Sequence, residues 1–337
     1  MTEMTVLNGV AIEELLTIPM AVEAVEQAYL EKSKGDAALW PMVFHEFDPG
    51  HADLDIKSGD LGGLGFYGLK VVSWFGANPG KGLPALYGTS LLFDLATGAP
   101  RALLNAGPIT DFRTGAAGAI GAKYLARPDA ETLLMAGTGA LAPYLIAATL
   151  YLLPQIKTVY VTNPHHPECS AAACEAITPQ VEKLLSGCGG CHAAIAAAPD
   201  LEKAVRHSDV ILTATPAREP FIKAEWVQPG THISYVGADM PGKQEADSAL
   251  FASAKVFGDD TAQCLSVGEC EVPYKAGVFS GHICEIGGVI SGAEAGRTDA
   301  SDITIFDSTG IALQDIATAA ALLQAAQETG KGQTVTL

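Results

Sequence analysis

The segment 131–150 constrains this chain more than any other. Glu131-Thr-Leu-Leu-Met-Ala136 is a short apolar run, Gly137-Thr-Gly139 follows it, and Ala142-Pro-Tyr-Leu-Ile-Ala-Ala-Thr-Leu150 has helical character. A glycine turn between a buried strand and a helix lets backbone N–H groups approach a pyrophosphate, whose charge is favoured at the helix N-terminus. Gly137 makes the turn, Gly139 admits the phosphate, and Ala142 is small enough for helix and strand to pack closely. Thr138, Ala140 and Leu141 complete the candidate loop. One such match is a weak signal, and the ordinary reading is a strand–turn–helix that uses small residues for packing. The match gains weight from the apolar strands that follow near 158–162, 192–197, 210–215, 231–236 and 255–257, separated by helical or loop stretches. That alternation is the pattern of a doubly wound parallel sheet.

The chain has 337 residues, 48% of them apolar, and a formal charge of −18. That length supports two domains. The negative charge argues against nucleic acid or an anionic membrane as partner, so a small anionic substrate must be held by a few local cations. No basic segment precedes an apolar run at the N-terminus, and no apolar stretch is long enough to span a bilayer, which predicts a cytoplasmic protein. Seven cysteines in such a chain read as free thiols. Cys188-Gly-Gly-Cys191-His192 has the spacing of a c-type haem attachment, but that chemistry needs an exported protein, and a zinc site would need two further ligands. No metal is expected.

Apolar residues at helical spacing predict one amphipathic helix over residues 11–33. Strand patterns follow at 43–47, 66–75, 85–93 and 101–104, joined by short turns, and Leu54-Asp-Ile-Lys-Ser58 reads as another strand. Adjacent strands with short connections pair antiparallel, so this half is α+β. The Gly- and Ala-rich helix from Arg113 links it to the nucleotide domain. The apolar helix from Gly310 returns to pack on the first half. The predicted domains are 1–118 with 309–337, for substrate binding and dimerisation, and 119–308, a Rossmann-type dinucleotide domain.

Several residues are candidates for chemistry. Asp239, in Val236-Gly-Ala-Asp-Met-Pro-Gly-Lys243, follows the fifth strand of the nucleotide domain, at the sheet edge where open α/β folds bind ligands. It is placed to act as a general acid or base, while its ordinary reading is a turn-capping aspartate. Lys70 interrupts an apolar strand and reads either as a substrate cation or as an edge-strand gatekeeper. Arg113, read as opening its helix, presents a fork suited to a carboxylate. Asp55 and Lys57 share one face of a strand, as solvated charges commonly do. Asn163 ends the second strand, where NAD-preferring domains carry an acid; it does not repel a 2′-phosphate, so NAD and NADP both stay open.

Tyr67-Gly-Leu-Lys70, Arg113-Thr-Gly-Ala-Ala-Gly-Ala119, Gly137-Thr-Gly-Ala-Leu-Ala142, Gly237-Ala-Asp-Met-Pro-Gly-Lys-Gln-Glu245 and Ile303-Thr-Ile-Phe-Asp-Ser-Thr-Gly-Ile-Ala-Leu-Gln-Asp315 together resemble the ornithine cyclodeaminase and mu-crystallin family across essentially the whole chain. The resemblance implies that Lys70 and Arg113 hold a substrate α-carboxylate, that Asp239 is the catalytic acid/base, and that Ser308 touches the cofactor. It also implies a homodimer built through the first domain. The further candidate cofactor contacts are Thr114, Thr213, Thr215, Val236 and Gly237, and Lys70 joins Asp239 as a candidate catalytic residue. Asp239 resembles the cyclodeaminases and alanine dehydrogenases of the family, whereas mu-crystallin has Ser there. Family members usually carry an additional Arg in the strand region 42–55. Here Met42, Val43, Phe44 and Asp55 occupy it, Lys57 can replace the cation, and Asp55 stands about where cyclodeaminases keep an acid near a distal amine.

The resulting expectation is an NAD-dependent cyclodeaminase that converts ornithine or a related diamino acid to a cyclic imino acid, proline, and ammonia. The alternatives are an NAD(P)-dependent amino-acid dehydrogenase or imine reductase using the same residues, and a non-catalytic nucleotide and ligand carrier.

Overall fold

Alternating apolar residues between 43 and 105 become the strands of one sheet, and the later apolar runs become the strands of another. A computed structural model describes residues 2–337. It divides into one unit formed by the chain up to Arg113 with Ile311–Leu337 and a second formed by Thr114–Gly310. In chain order the first unit holds β1 (Glu3–Leu7), α1 (Gly9–Leu15), α2 (Ile18–Lys34), β2 (Ala37–Leu39), β3 (Val43–Asp48), β4 (Ala52–Leu61), β5 (Phe66–Phe75), β6 (Leu86–Asp94), β7 (Pro100–Asn105) and the start of α3 (Ala106–Leu125). The second holds β8 (Thr132–Ala136), α4 (Ala142–Leu152), β9 (Thr158–Thr162), α5 (Ser170–Leu185), β10 (Ala194–Ala197), α6 (Leu201–Arg206), β11 (Val210–Thr213), β12 (His232–Tyr235), β13 (Lys255–Gly258), α7 (Thr261–Val267), α8 (Glu271–Lys275), β14 (Cys284–Glu285), α9 (Ile286–Ser291) and β15 (Thr304–Asp307). The chain returns to the first unit for α10 (Ala312–Thr329) and β16 (Gln333–Thr336).

In the first unit the sheet runs β16-β1-β7-β6-β5-β4-β2, with β3 also paired on β4. The long strands β4 to β7 pair antiparallel, as short connections dictate. β1 adds to β7 in parallel. The short outer strands β1, β2 and β16 carry no clear alternation and were not anticipated. The helix expected over 11–33 is two helices: Thr17 caps the second through the Met20 N–H, and Pro19 stands in its first turn, where its missing N–H costs nothing. Arg113 does not open its helix either. The helix starts at Ala106, after Asn105, whose side chain accepts the Gly107 N–H, so Arg113 stands in its interior. α10 packs on α2 and on the sheet. Gly59 permits this approach, because a Cβ there would lie 2.5 Å from the Ala38 carbonyl oxygen and 3.1 Å from Leu313.

The second unit is a parallel sheet in the order β10-β9-β8-β11-β12-β15-β13-β14. The strand order reverses beside β8, so the glycine turn after β8 opens at a topological switch point, where such sheets bind ligands. The sheet extends beyond the strands anticipated up to 255–257. β15 inserts between β12 and β13, and all four of its residues are buried. All seven cysteines are free. Among the described residues no helix is long and apolar enough to cross a membrane, and no cluster of His, Cys, Asp and Glu is arranged to hold a metal ion.

Candidate active site

The glycine turn uses each glycine differently. Gly137 has φ +124°, and a Cβ there would stand 2.5 Å from the Ala214 carbonyl oxygen, so no other residue fits without moving β11's extension. Its N–H donates to the Thr162 carbonyl at the end of β9. Gly139 is exposed, and a Cβ there would meet nothing within 4 Å. α4 then begins without any side-chain cap, with Leu141 at the capping position and Pro143 in the first turn. Its leading N–H groups therefore lack side-chain acceptors, and the helix dipole favours an anion there. Open space at Gly139 in front of an uncapped helix fits a dinucleotide's phosphates. Thr138 accepts a hydrogen bond from Asn163 Nδ2 at 3.1 Å, while Asn163 Oδ1 accepts the N–H groups of His165 and His166. Asn163 thus joins the glycine turn to the β9–α5 connection, and its carboxamide is committed locally.

Beside this turn lies a buried acid that sequence reasoning did not single out. Glu245, wholly buried, accepts four hydrogen bonds: from the Thr213 and Thr215 hydroxyls and from the Thr215 and Gly237 N–H groups. Thr213, Thr215 and Gly237, expected as cofactor contacts, therefore serve to tie the ends of β11 and β12 together. Val236 and Ser308 are buried at strand ends and donate their N–H groups to Thr213 and Tyr235. Thr114 is also buried. Asp239 lies on the loop that follows β12. Its side chain is 50% exposed and pairs with Lys243 at 2.5 Å, one turn later in the same loop.

The first unit gathers the cations. Lys70 sits on an interior strand, between β4 and β6, which removes the gatekeeper reading. Its ammonium lies 2.9 Å from Asp315 and 3.4 Å from the Thr110 hydroxyl, with Lys70 and Asp315 both 3% exposed. Arg113 donates from Nη1 to Gln314 at 2.9 Å and brings Nε to 3.3 Å from the same Asp315 oxygen. Gln314 in turn donates to the Tyr29 hydroxyl at 2.7 Å, so α10 anchors the group to α2. Burial lowers the Lys70 pKa to about 8, helped by Arg113 and Lys57 and opposed by Asp315. Burial pushes the Asp315 carboxyl up, but Arg113 and Lys70 together hold it below its ordinary value. Lys57 stands opposite Lys70 in the β4–β5 register, and Asp55 follows on the same face, opposite Val72 and Phe44. Facing cations repel, so this face is suited to an anion. Asp315 and Gln314 are the residues missed here. Their polarity predicts exposure, and only the fold brings them to Lys70 and Arg113.

A doubly wound parallel sheet with an uncapped glycine turn, joined in one chain to an antiparallel sheet bearing buried cations, defines a two-unit protein of the dinucleotide-binding fold class. The chain belongs to the ornithine cyclodeaminase/mu-crystallin family, whose model matches residues 2–330. It is 36% identical over 321 residues to the alanine dehydrogenase of Archaeoglobus fulgidus, covering 94% of this chain and 93% of that protein. Among solved structures, an archaeal alanine dehydrogenase dimer with bound NAD is 36% identical, with a TM-score of 0.86 over 99% of both chains. The iminosuccinate reductase of Paracoccus denitrificans in complex with NAD+ is 31% identical, with a TM-score of 0.89 over 99% of this chain and 100% of that one. A lysine cyclodeaminase that recognises L-lysine, L-ornithine and L-2,4-diaminobutyric acid is 28% identical, with a TM-score of 0.82 over 99% and 96%.

Proposed function

We propose that this protein is an NAD(H)-dependent enzyme that interconverts a 2-amino acid and its 2-imino form. The observation that carries this reading is the convergence of Lys70 and Arg113 on one buried aspartate oxygen, which leaves the pair with a net positive charge to offer a substrate α-carboxylate. Bound NAD(H) supplies a hydride acceptor or donor for the substrate's α-carbon. The residues toward it are the Gly137–Leu141 turn and the start of α4, which hold the phosphates. Asp239, exposed on its loop, moves the proton on the substrate nitrogen. The family relatives act on amino or imino acids, and three solved neighbours carry NAD or NADH. Asn163 adds no charge against a 2′-phosphate, so NADP remains a cofactor to be assayed beside NAD. The first unit is proposed to bind substrate and to form a homodimer. Every residue of β3 is exposed, including Val43, Phe44 and Phe47, and Leu86 and Tyr87 are exposed on β6; an apolar face of this kind suits a partner subunit.

A second reading is redox-neutral cyclodeamination of ornithine or a related diamino acid to proline. Asp55 favours it, because a carboxylate beside the clamp on the same strand face suits a distal ammonium. Both readings need the clamp. Arg113→Ala, assayed by NADH oxidation with 1-pyrroline-2-carboxylate and with pyruvate plus ammonium, is expected to lose about 2 kcal/mol, on the order of thirtyfold in kcat/KM, with NADH affinity unchanged. Unaltered kcat/KM in the folded variant rules the clamp out.

A further inference from the structure

The two clamp cations reach Asp315 from different elements, Lys70 from β5 and Arg113 from α3, and both meet the same oxygen, Oδ1. Asp315 lies in the first turn of α10, and the neighbouring Gln314 takes the second contact from Arg113. We propose that Asp315 is the positioning residue of the carboxylate clamp, aiming both cations and serving as a permanent counter-ion that a substrate carboxylate joins rather than replaces. This proposal rests on the clamp reading.

Charge and geometry carry the argument. Two buried cations face one buried anion, so the group is one negative charge short, and a single α-carboxylate makes up the difference. Arg113 donates Nη1 to Gln314, while its buried Nε, 3.3 Å from Asp315 Oδ1, is ion-paired without a hydrogen bond, so the guanidinium keeps donor capacity for a ligand. The second oxygen of Asp315 accepts no hydrogen bond. The group is therefore fixed by charge at one corner and open at another. The charged and polar neighbours on the packed elements are Lys57 on β4, Lys70 on β5, Ser90 on β6, Thr110, Asp111 and Arg113 on α3, and Gln314 and Asp315 on α10. Of these only Asp315 favours the charged form of Lys70, while Arg113 and Lys57 oppose it. Loss of the Asp315 charge would leave two like charges buried together, and Lys70 would release its proton.

The test is the titration of the Lys70 ammonium, followed by NMR on protein labelled at lysine and assigned with Lys70→Arg. In wild type it titrates near 8. In Asp315→Asn the midpoint is expected to fall by about one pH unit or more, and in Arg113→Gln to rise, because an opposite charge and a like charge have been removed in turn. In parallel, KM for 1-pyrroline-2-carboxylate in Asp315→Asn rises and does so at lower pH than in wild type. A Lys70 midpoint that is the same in wild type and in both variants overturns the proposal. If Asp315→Asn does not fold, the Arg113→Gln titration decides alone, and an unmoved midpoint there overturns it equally. If the midpoints move as expected while KM stays constant in both variants, the clamp reading itself has failed and the positioning role falls with it.

Discussion

Glu269 accepts the backbone N–H groups of Glu245 and Ala246 through a single oxygen, at 2.7 Å each, while the Glu245 carboxylate is itself held by four donors. Two acids in one buried network thus have opposite surroundings. Burial raises both, but the four bonds counter the rise at Glu245, whereas at Glu269 the nearby Glu245 charge adds to it. Glu269 is thus pushed well above the ordinary carboxylate value, and Glu245 to about 6. Asp307, which takes the Glu269 and Cys270 N–H groups, is pushed up to about 7 by burial.

These raised values set the sign of a stability prediction. A carboxyl whose pKa is higher folded than unfolded contributes stability at acidic pH that is lost as pH rises through the folded value. For Asp307 the window runs from 3.8 to about 7. The second unit should therefore melt at a higher temperature at pH 5 than at pH 8. Glu269→Gln keeps an oxygen for the two N–H groups and mimics the protonated acid, so its Tm should match wild type at acidic pH. Above the Glu269 titration it should exceed wild type, by about 1.4 kcal/mol per pH unit, roughly 2–4 °C for each kcal/mol in a unit of this size. A uniform loss of Tm from pH 5 to 9 in thermal melts would show that Glu269 is ionised in the fold.

Gly137 and Gly139 separate folding from binding. Gly137→Ala meets both an unfavourable φ and the Ala214 oxygen, so it should destabilise the protein by about 2 kcal/mol or more. Gly139→Ala has open space and should melt like wild type. Its methyl group stands where the phosphates would approach, so the NADH dissociation constant, followed by fluorescence, should rise about tenfold or more. Unchanged NADH affinity in Gly139→Ala would remove the turn from the cofactor site.

The contrast between these glycines and Asp315 explains what the sequence makes legible. A glycine turn is a local backbone requirement, written in consecutive residues, and the strand alternation around it makes the doubly wound sheet readable. β15 was harder, since its four residues are buried on both faces and it joins the sheet out of chain order. Asp315 and Glu245 lie inside segments that carry the family resemblance, yet nothing local marks either as buried. Lys70 and Asp315 are 245 positions apart, and Thr213 and Glu245 are 32 apart. Only the folded chain reveals that a polar residue on an apolar helix has two cations waiting for it. Arg113 was misread for a related reason: Asn105 starts its helix two turns earlier than the glycine run suggests.

Asp239→Asn tests the proton-transfer role. The Asp239–Lys243 pair is half exposed and contributes under about 1 kcal/mol, so the variant should fold normally and bind NADH as wild type does. Turnover should fall by about two orders of magnitude, the usual size of acid/base assistance. A variant that fails to fold would instead identify Asp239 as a turn cap.

Stoichiometry separates the two proposed reactions, because both begin with hydride loss from the α-carbon and differ in where that hydride ends. Asp55, two residues from Lys57 on the same face of β4, is the residue that would hold a distal ammonium. If it does, L-ornithine with catalytic NAD should release ammonia in large molar excess over NADH and yield proline, since an internal amine traps the iminium at high effective molarity before water does. Asp55→Asn should then raise KM for ornithine about tenfold or more while leaving pyruvate plus ammonium unaffected, because only the diamino acid carries the second charge. NADH that accumulates one-for-one with ammonia, or faster reaction with L-alanine than with L-ornithine, would assign the protein to net amino-acid dehydrogenation and leave Asp55 as a solvated strand residue.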